Sequence, residues 1–497
     1  MRYYSTKNRN KSFSFAEAAL NGLAPDGGLF IPESIPGYRK SVKNSLSSMS
    51  FLEIAFETIK PFVEEDIPDS ILEELCTGAF SFSAPLVPVN LNKDPAETKT
   101  LAPALLELFH GPTAAFKDFG ARFMARTFSC LRRGENQPLR ILVATSGDTG
   151  GAVADGFFGI QGISVTILYP KGRVSGLQEK QIAGLASREG GNISALAVEG
   201  SFDDCQALVK NAFGDSVLQE RLALSSANSI NISRLIPQAV YYAAAAGKAQ
   251  SGRWDLDGEA TPRVNKNIYG VCEANPQTKA DGLLHAPAAS QKTAKPVIFC
   301  VPSGNFGNLT AGLYALAMGA PIAWFIAATN INKTVPDYLA SGEYKTRLSQ
   351  ATISNAMDVG APSNFERMAA HWNYEELRRM IRGIYVTDDE TRETIAGVYR
   401  NYGYYLDPHG AVGWTAVQKY KDISLAKNDP LPENPIAVLA TAHPAKFAET
   451  VESITGPVPV PCSIQKAMER TARSLTIPAD YSALRDFLYT SECGKLG

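Results

Sequence analysis

The sequence lacks the features that define several broad classes of protein. No apolar stretch approaches the roughly 18 uninterrupted residues that a membrane-spanning helix needs, and the opening MRYYSTKNRNKSFSF has no apolar signal segment. The formal net charge is only -2 over 497 residues, without long runs of like charge. We therefore predict a cytoplasmic protein without membrane or nucleic-acid partners. A basic stretch up to Lys11 leaves a transit peptide as the less favoured alternative.

Patterns that bind metals or form disulfide frameworks are also missing. The seven cysteines are scattered, odd in number and never spaced as CxxC, which disfavours a disulfide framework and a zinc site. The five histidines include no HExxH motif and no pair at helical spacing. We predict no metal site.

Apolar runs of strand length are abundant and alternate with amphipathic helical stretches. Such runs, bounded by Gly, Pro or Ser, are typical of parallel strands buried on both faces, so the fold class is α/β. Residues 1 to about 100 contain Pro-rich segments typical of turns and a helical pattern near Phe51 to Phe62, which suggests an accessory domain. Residues 248–296 read as a surface insertion, partly disordered. The strand-like runs are Ile141 to Thr145, Val165 to Tyr169, Val297 to Val301 and Ile436 to Ala440.

Two of these runs lead into glycine loops that precede helices. In VIFCVPSGNFGN, the backbone N–H groups of residues 303–308 and the positive end of the next helix would hold a phosphate, although a tight turn that needs glycine is equally plausible. In ILVATSGDTGG, a second anion could bind the backbone and the hydroxyls of Ser146 and Thr149. Asp148 would bring a negative charge close to such an anion, so its side chain is expected to face another group or to cap the helix.

Two further segments contain candidate catalytic or binding residues: one around a lone lysine and one at the end of the last strand. Lys117 lies between Phe116 and Phe119, where partial burial would lower its pKa and make it a nucleophile towards an aldehyde. A solvated helix lysine is the alternative. In IAVLATAHPAKF, Thr441 could bond a heterocyclic nitrogen or cap the strand, His443 is interpreted as structural, and Lys446 follows the same strand end.

Taken together and in this order, the motifs resemble those of the threonine synthases, pyridoxal-phosphate enzymes of fold type II. The resemblance runs nearly end to end and leaves only the 248–296 stretch without a counterpart. It rests on FAEAALNGLAPDGGLFIPESIP, HGPTAAFKDFG, TSGDTGGAVADGF, NSINISRLIPQAVYY, VPSGNFGNLTAG, MDVGAPSNFER, GYYLDPHGAVG and TAHPAKF.

The resemblance implies a role for each matching residue. Lys117 would form the Schiff base with pyridoxal 5'-phosphate, and Thr441 would face the pyridine nitrogen. The cofactor phosphate would lie on Gly304, Asn305, Phe306, Gly307 and Asn308, where many relatives have Asp in place of Asn308. The substrate carboxylate would lie on Ser146, Gly147, Asp148 and Thr149. The substrate phosphate is assigned to Asn228, Ser229, Asn231 and Arg234, since an Arg fork is the best phosphate ligand among them.

The implied fold is two open α/β domains with mainly parallel sheets plus the accessory domain. The large cofactor-binding domain would comprise 101–135 and 297–497, and a smaller mobile α/β domain 136–247. The implied reaction converts O-phospho-L-homoserine and water to L-threonine and phosphate, in a monomer or homodimer. A phospho-lyase of the same fold, releasing 2-oxobutyrate and ammonia, and a non-catalytic metabolite-binding protein remain alternatives.

Overall fold

The computed structural model describes residues 1–89, 103–135, 137–186, 188, 191–251, 295–427 and 433–490. The strands are β1 (Tyr3–Ser5), β2 (Ser12–Phe13), β3 (Phe30–Pro32), β4 (Leu86–Pro88), β5 (Ala104–Glu107), β6 (Leu139–Ala144), β7 (Ile163–Pro170), β8 (Ile193–Glu199), β9 (Ala223–Ser226), β10 (Val297–Pro302), β11 (Ile322–Thr329), β12 (Ile381–Tyr385), β13 (Ile436–Ala440) and β14 (Leu475–Pro478).

Helices connect most of these strands. They are α1 (Phe15–Asn21), α2 (Lys40–Ser45), α3 (Phe51–Val63), α4 (Asp69–Ala79), α5 (Lys117–Leu131), α6 (Asp148–Phe157), α7 (Gly176–Ala186), α8 (Phe202–Gly214), α9 (Ser216–Arg221), α10 (Ile232–Leu235), α11 (Ala239–Gln250), α12 (Gly307–Met318), α13 (Thr334–Ser341), α14 (Asn364–His371), α15 (Tyr374–Met380), α16 (Asp388–Tyr402), α17 (Pro408–Ala426), α18 (Ala448–Thr455), α19 (Cys462–Met468) and α20 (Tyr481–Thr490). Short 3-10 turns are Ile236–Gln238, Asn355–Met357 and Pro444–Phe447.

Three sheets organise the molecule. A six-stranded sheet has the order β12-β11-β10-β13-β5-β4 and is parallel except for β4, which pairs antiparallel with β5. A five-stranded sheet, β14-β8-β7-β6-β9, is parallel throughout. Near the N-terminus β2-β1-β3 form a small antiparallel sheet. Within the described ranges, no helix is long and apolar enough to cross a membrane.

The predicted α/β class and the predicted strands are confirmed. The four apolar runs correspond to β6, β7, β10 and β13, and the pattern near Phe51 to Phe62 is α3. All six residues of β10 are buried, as expected for a strand covered on both faces. Apolar runs of this length therefore identify central strands of the two larger sheets.

Two short strands lie in a different sheet from the one that the predicted boundaries imply. β4 falls inside the predicted accessory segment but joins the six-stranded sheet. β14 falls inside the predicted large domain but pairs with β8 at the edge of the five-stranded sheet. Only Ile477 of β14 is buried, so its sequence gave no signal of its partner. The predicted insertion lies largely outside the described residues.

The cysteines that the structure describes are of two kinds. Among those that the structure describes, Cys76, Cys130, Cys205 and Cys300 are free. Cys462 is disulfide-bonded, which the scattered spacing did not indicate. No group of His, Cys, Asp or Glu in the described residues is arranged to hold a metal ion.

The chain order brings several helix N-termini to the carboxyl ends of the strands. β6 leads through a glycine loop to α6, β10 leads to α12, and β13 leads to the turn Pro444–Phe447. α5 begins at Lys117, and Phe116 donates its N–H to the carbonyl of Thr441 just beyond β13 (2.9 Å). In open parallel sheets this edge is where ligands bind.

A fully buried arginine ties the N-terminal segment to this edge. Arg367 donates from Nε to the carbonyl of Phe30 (3.1 Å) and from Nη2 to the carbonyl of Ile230 (2.7 Å).

Hydrogen bonds from a charged donor contribute about 1.5–3 kcal/mol each, and Arg367→Ala would leave both carbonyls without this donor. We expect this variant to lower the free energy of unfolding by about 3 kcal/mol, measured by denaturant titration. The exposed control Arg379→Ala should change it by less than about 0.5 kcal/mol, and equal effects would contradict the role of Arg367.

Candidate active site

Lys117 is the first residue of α5 and is largely withdrawn from solvent. Its side chain is 16% exposed, and its ammonium lies 5.0 Å from the centre of the Phe116 ring. Burial lowers the pKa of Lys117 to about 8; Asp148 opposes this shift, and Lys446 and Arg234 add to it. The alternative of a solvated helix lysine is therefore wrong.

Asp148 faces two lysines. Its Oδ1 lies 2.9 Å from Nζ of Lys446 and accepts a hydrogen bond from Nε2 of Gln178 (3.1 Å), while its Oδ2 lies 3.9 Å from Nζ of Lys117. Burial alone would favour the neutral acid, but Lys446 and Lys117 hold the pKa of this carboxyl well below its usual range. The alternative that Asp148 caps the helix is wrong, since the N-cap of α6 is Gly147.

The loop before α6 leaves two hydroxyls available. Oγ1 of Thr145 accepts from the N–H groups of Gly147 (3.0 Å) and Gly150 (2.9 Å), which fixes the loop. Gly147 has a φ of 145°, and a Cβ there would lie 2.4 Å from the side chain of Gln178. The half-buried Ser146 and Thr149 side chains have no hydrogen-bond partner within the described part of the chain. Their hydroxyls can therefore bind a small anion.

The glycine loop after β10 is closely packed and strained. A Cβ on Gly304 would lie 2.7 Å from the carbonyl oxygen of Ala356 and 2.8 Å from Cα of Met357. Phe306 has a φ of 59°, and the other non-glycine residue with positive φ in the described ranges is Ala114, three residues before Lys117. Left-handed backbone at non-glycine residues costs energy and often marks a functional site.

The side chains of the same loop differ in whether they are free to hydrogen-bond a ligand. Asn305 donates to Oγ of Ser229 (2.6 Å) and accepts from the N–H of Ser363 (2.6 Å), so its amide holds neighbouring segments. Oδ1 of Asn308 accepts from the hydroxyls of Tyr241 (2.6 Å) and Tyr242 (2.7 Å). Its Nδ2 is buried without a partner in the described residues. This leaves an unpaired donor beside the positive end of α12.

Thr441 lies at the junction with Lys117. It is 6% exposed, and within the described ranges its hydroxyl has no protein partner. The isolated bridge between Ala115 and Ala442 keeps the segment before α5 against the end of β13. The hydroxyl is thus free to bond a ligand atom, whereas a capping role has no hydrogen bond to support it.

The predicted phosphate residues divide into two groups. Asn231 caps α10 through Oδ1 and donates from Nδ2 to the carbonyls of Ala19 (2.8 Å) and Ser226 (3.1 Å). These partners use both donors and the acceptor of its amide, so the structure corrects its predicted role: the side chain is structural. Ser229 accepts from Asn305, as described above, and the half-buried Asn228 side chain has no hydrogen-bond partner within the described ranges.

Arg234 is a buried cation without a carboxylate. Its side chain is 2% exposed, Nη1 donates to the carbonyl of Ala227 (2.7 Å), and Nε has no partner in the described residues. Burial lowers the pKa of Arg234 to about 10, against the opposing charge of Asp118. No carboxylate in the described ranges lies within ion-pair distance. A guanidinium in this position favours an incoming anion.

The comparisons with known proteins agree with this arrangement. Residues 2–80 match the family described as "Threonine synthase N terminus", and residues 410–488 match "Threonine synthase, C-terminal". The threonine synthase of Escherichia coli is 38% identical over 98% of this chain and 99% of its own length. That of Saccharomyces cerevisiae is 34% identical over 91% of this chain and 88% of its own. The chain belongs to the threonine synthase family.

Solved threonine synthases have the same fold. The crystal structure of the Escherichia coli enzyme covers 99% of this chain at 37% identity and a TM-score of 0.78, with all of that chain covered. The threonine synthase of Brucella melitensis, solved with bound PLP, covers 99% of both chains at 32% identity and a TM-score of 0.79. The assignment to fold type II is therefore confirmed.

Three residues of this threonine synthase family member were not assigned to the site from the sequence. The sequence places Lys446 after a strand end without a role, and it predicts no role for Gln178 or Thr113. Lys446 is fully buried, contacts Asp148 and donates to the carbonyl of Thr113 (2.7 Å). The single available signal was the position of Lys446 beyond the carboxyl end of β13.

Proposed function

We propose that this member of the threonine synthase family converts O-phospho-L-homoserine and water to L-threonine and phosphate, with pyridoxal 5'-phosphate attached to Lys117. The observation that carries the proposal is a Lys117 side chain only 16% exposed, with a pKa of about 8, whose amine lies 3.9 Å from Asp148 at the start of α6. An amine with a lowered pKa can attack an aldehyde near neutral pH.

The described residues fit this cofactor. The loop from Gly304 to Asn308 offers backbone N–H groups, the N-terminus of α12 and the unpaired Nδ2 of Asn308 to a phosphate. A Cβ on Gly304 would collide with the turn Asn355–Met357, which supports a loop shaped for close backbone approach. The free hydroxyl of Thr441 suits a heterocyclic nitrogen.

Pyridoxal phosphate, when bound, supplies an electron sink for the negative charge that develops at the substrate Cα. The amine of Lys117 would remove the Cα proton and carry protons in the later steps, during which phosphate leaves Cγ and the hydroxyl of water adds at Cβ. Ser146, Gly147 and Thr149 would orient the substrate carboxylate. Closure of the smaller domain would exclude water until that last addition.

Arg234 is proposed to bind the substrate phosphate and to stabilise it as it leaves. Its unpaired Nε and its burial support this role.

Arg234→Lys keeps the positive charge but loses the paired N–H donors of the guanidinium. We expect KM for O-phospho-L-homoserine to rise about tenfold, as for one lost charge-assisted hydrogen bond. Inorganic phosphate should also inhibit this variant more weakly. The exposed control Arg221→Lys should leave both constants unchanged, and a normal KM in Arg234→Lys would count against the assignment.

The experiment that tests the proposed reaction follows phosphate and L-threonine together. Purified protein is incubated with pyridoxal 5'-phosphate and O-phospho-L-homoserine, and equal amounts of the two products are expected. Phosphate accompanied by 2-oxobutyrate and ammonia would identify the phospho-lyase. Substrate binding without either set of products would identify a metabolite-binding protein.

The cellular setting is also a proposal. We propose that the enzyme works in the cytoplasm as a monomer or homodimer and does not bind nucleic acid. The near-neutral charge balance supports the last point. Cell fractionation and light scattering of the purified protein test the first two, and a larger assembly or a membrane-bound fraction would contradict them.

A further inference from the structure

A fully buried lysine lies near the proposed cofactor lysine. Lys446 belongs to the turn Pro444–Phe447 after β13, and none of its side chain is exposed to solvent. Its Nζ lies 2.9 Å from Oδ1 of Asp148 and 2.7 Å from the carbonyl oxygen of Thr113. A buried ammonium is stable only when it is paired and hydrogen-bonded, and both conditions hold here.

The partners of Lys446 are themselves fixed. Gln181 also donates to the carbonyl of Thr113 (3.1 Å). Asp118 accepts from the N–H (2.9 Å) and hydroxyl (2.6 Å) of Thr113. Lys446 therefore connects the end of the six-stranded sheet, the segment before Lys117 and the start of α6 in a single network.

Asp148 is closer to Lys446 than to Lys117. The two N···O distances are 2.9 Å and 3.9 Å, and Lys117 has no shorter ion pair in the described residues. A carboxylate already paired with one ammonium attracts a second one less. Two like charges around one carboxylate also repel each other.

We propose that Lys446 is a positioning residue that acts as the standing counter-ion of Asp148, and thereby leaves the amine of Lys117 free to react with the cofactor aldehyde. The inference rests on the proposed function of Lys117. The groups that act electrostatically on Lys117 are Asp148 on α6, Lys446 after β13, Arg234 on α10 and Asp118 on α5. Without Lys446, the carboxylate of Asp148 would pair with Lys117 and hold it as an ammonium.

The test measures how pH controls the capture of pyridoxal 5'-phosphate. The full-length protein is freed of bound cofactor, and the limiting rate of covalent capture is followed in visible absorbance across pH. In the wild type this rate should rise through a midpoint near the pKa of Lys117, about 8. In Lys446→Met the ammonium of Lys117 is stabilised, so its pKa and the midpoint rise. A rise of about one pH unit would slow capture at pH 7 about tenfold.

Removal of the carboxylate of Asp148 should shift the midpoint pH in the opposite direction. Asp148→Asn removes the attraction that favours the ammonium of Lys117, so the midpoint should move to lower pH. A merely structural role for Lys446 would alter the amount of folded protein without moving the two midpoints in opposite directions. Lys446→Gln can still donate to Thr113 and replaces Lys446→Met if the latter does not fold, as judged by circular dichroism.

Two controls separate the possible failures. Lys345→Met removes an exposed lysine paired with Glu343 and should leave the midpoint unchanged. Lys117→Ala should capture no cofactor covalently, and capture by this variant would refute the proposed function itself. If Lys117→Ala is inactive in capture but Lys446→Met and Lys446→Gln keep the wild-type midpoint, the proposed role of Lys446 is wrong.

Discussion

Lys117→Ala is expected to lower the rate of phosphate release from O-phospho-L-homoserine by at least about a thousandfold. In the proposed mechanism, the variant loses both the amine that holds the cofactor and the base beside the substrate Cα. Withdrawal of the Lys117 amine from solvent lowers its pKa to about 8, although the carboxylate of Asp148 opposes this shift. Lys446 cannot replace it, because its Nζ is already engaged by Asp148 and Thr113. Steady-state turnover and covalent cofactor content are the measurements.

The matched control for this loss is Lys345→Ala. Lys345 is exposed and pairs with Glu343 (2.8 Å), so its removal should leave turnover and cofactor content unchanged. Turnover by Lys117→Ala at more than a tenth of the wild-type rate would contradict the role of Lys117.

Gly304→Ala is expected to weaken cofactor binding about ten- to a hundredfold. The added Cβ would lie 2.7 Å from the carbonyl oxygen of Ala356 and 2.8 Å from Cα of Met357, so the loop or the turn must move. The turn is held by a hydrogen bond from the N–H of Ala356 to Nε2 of His409 (3.3 Å). Overpacking of this kind costs about 1–3 kcal/mol, and 1.4 kcal/mol corresponds to tenfold in affinity. Equilibrium titration with pyridoxal 5'-phosphate measures the change.

A second glycine distinguishes a local effect from the general cost of substitution. Gly397 lies within α16, and nothing lies within 4 Å of a Cβ built there. Gly397→Ala should leave cofactor affinity unchanged and stabilise the helix by up to about 1 kcal/mol. Equal losses of affinity in the two variants, or wild-type affinity in Gly304→Ala, would contradict the proposed shape of the loop.

The central strands were predictable because their signal is local. Runs such as Val297 to Val301 are apolar throughout, as short as a strand and bounded by proline, which favours a strand covered on both faces over a buried helix. β14 gave no such signal, since it adds to the edge of a sheet through its backbone while most of its side chains stay exposed. Backbone pairing at an edge leaves little trace in the side-chain pattern.

The site was predictable only in part, for a related reason. The order of the motifs assigns the cofactor to Lys117, but a local pattern does not distinguish this residue from a solvated lysine. The role of Lys446 depends on Thr113, which is 333 residues away in the chain, and on Asp148. Asn231 was assigned to the substrate because a short polar motif does not reveal that its amide is used by Ala19 and Ser226.

The central claim is that Lys117, and not its buried neighbour Lys446, carries the cofactor. Borohydride reduction of the cofactor-loaded protein, followed by digestion and mass spectrometry, tests this most directly. The account predicts one pyridoxyl group per chain, on the peptide that contains Lys117. A pyridoxyl group on Lys446 or on any other lysine in its place would contradict it.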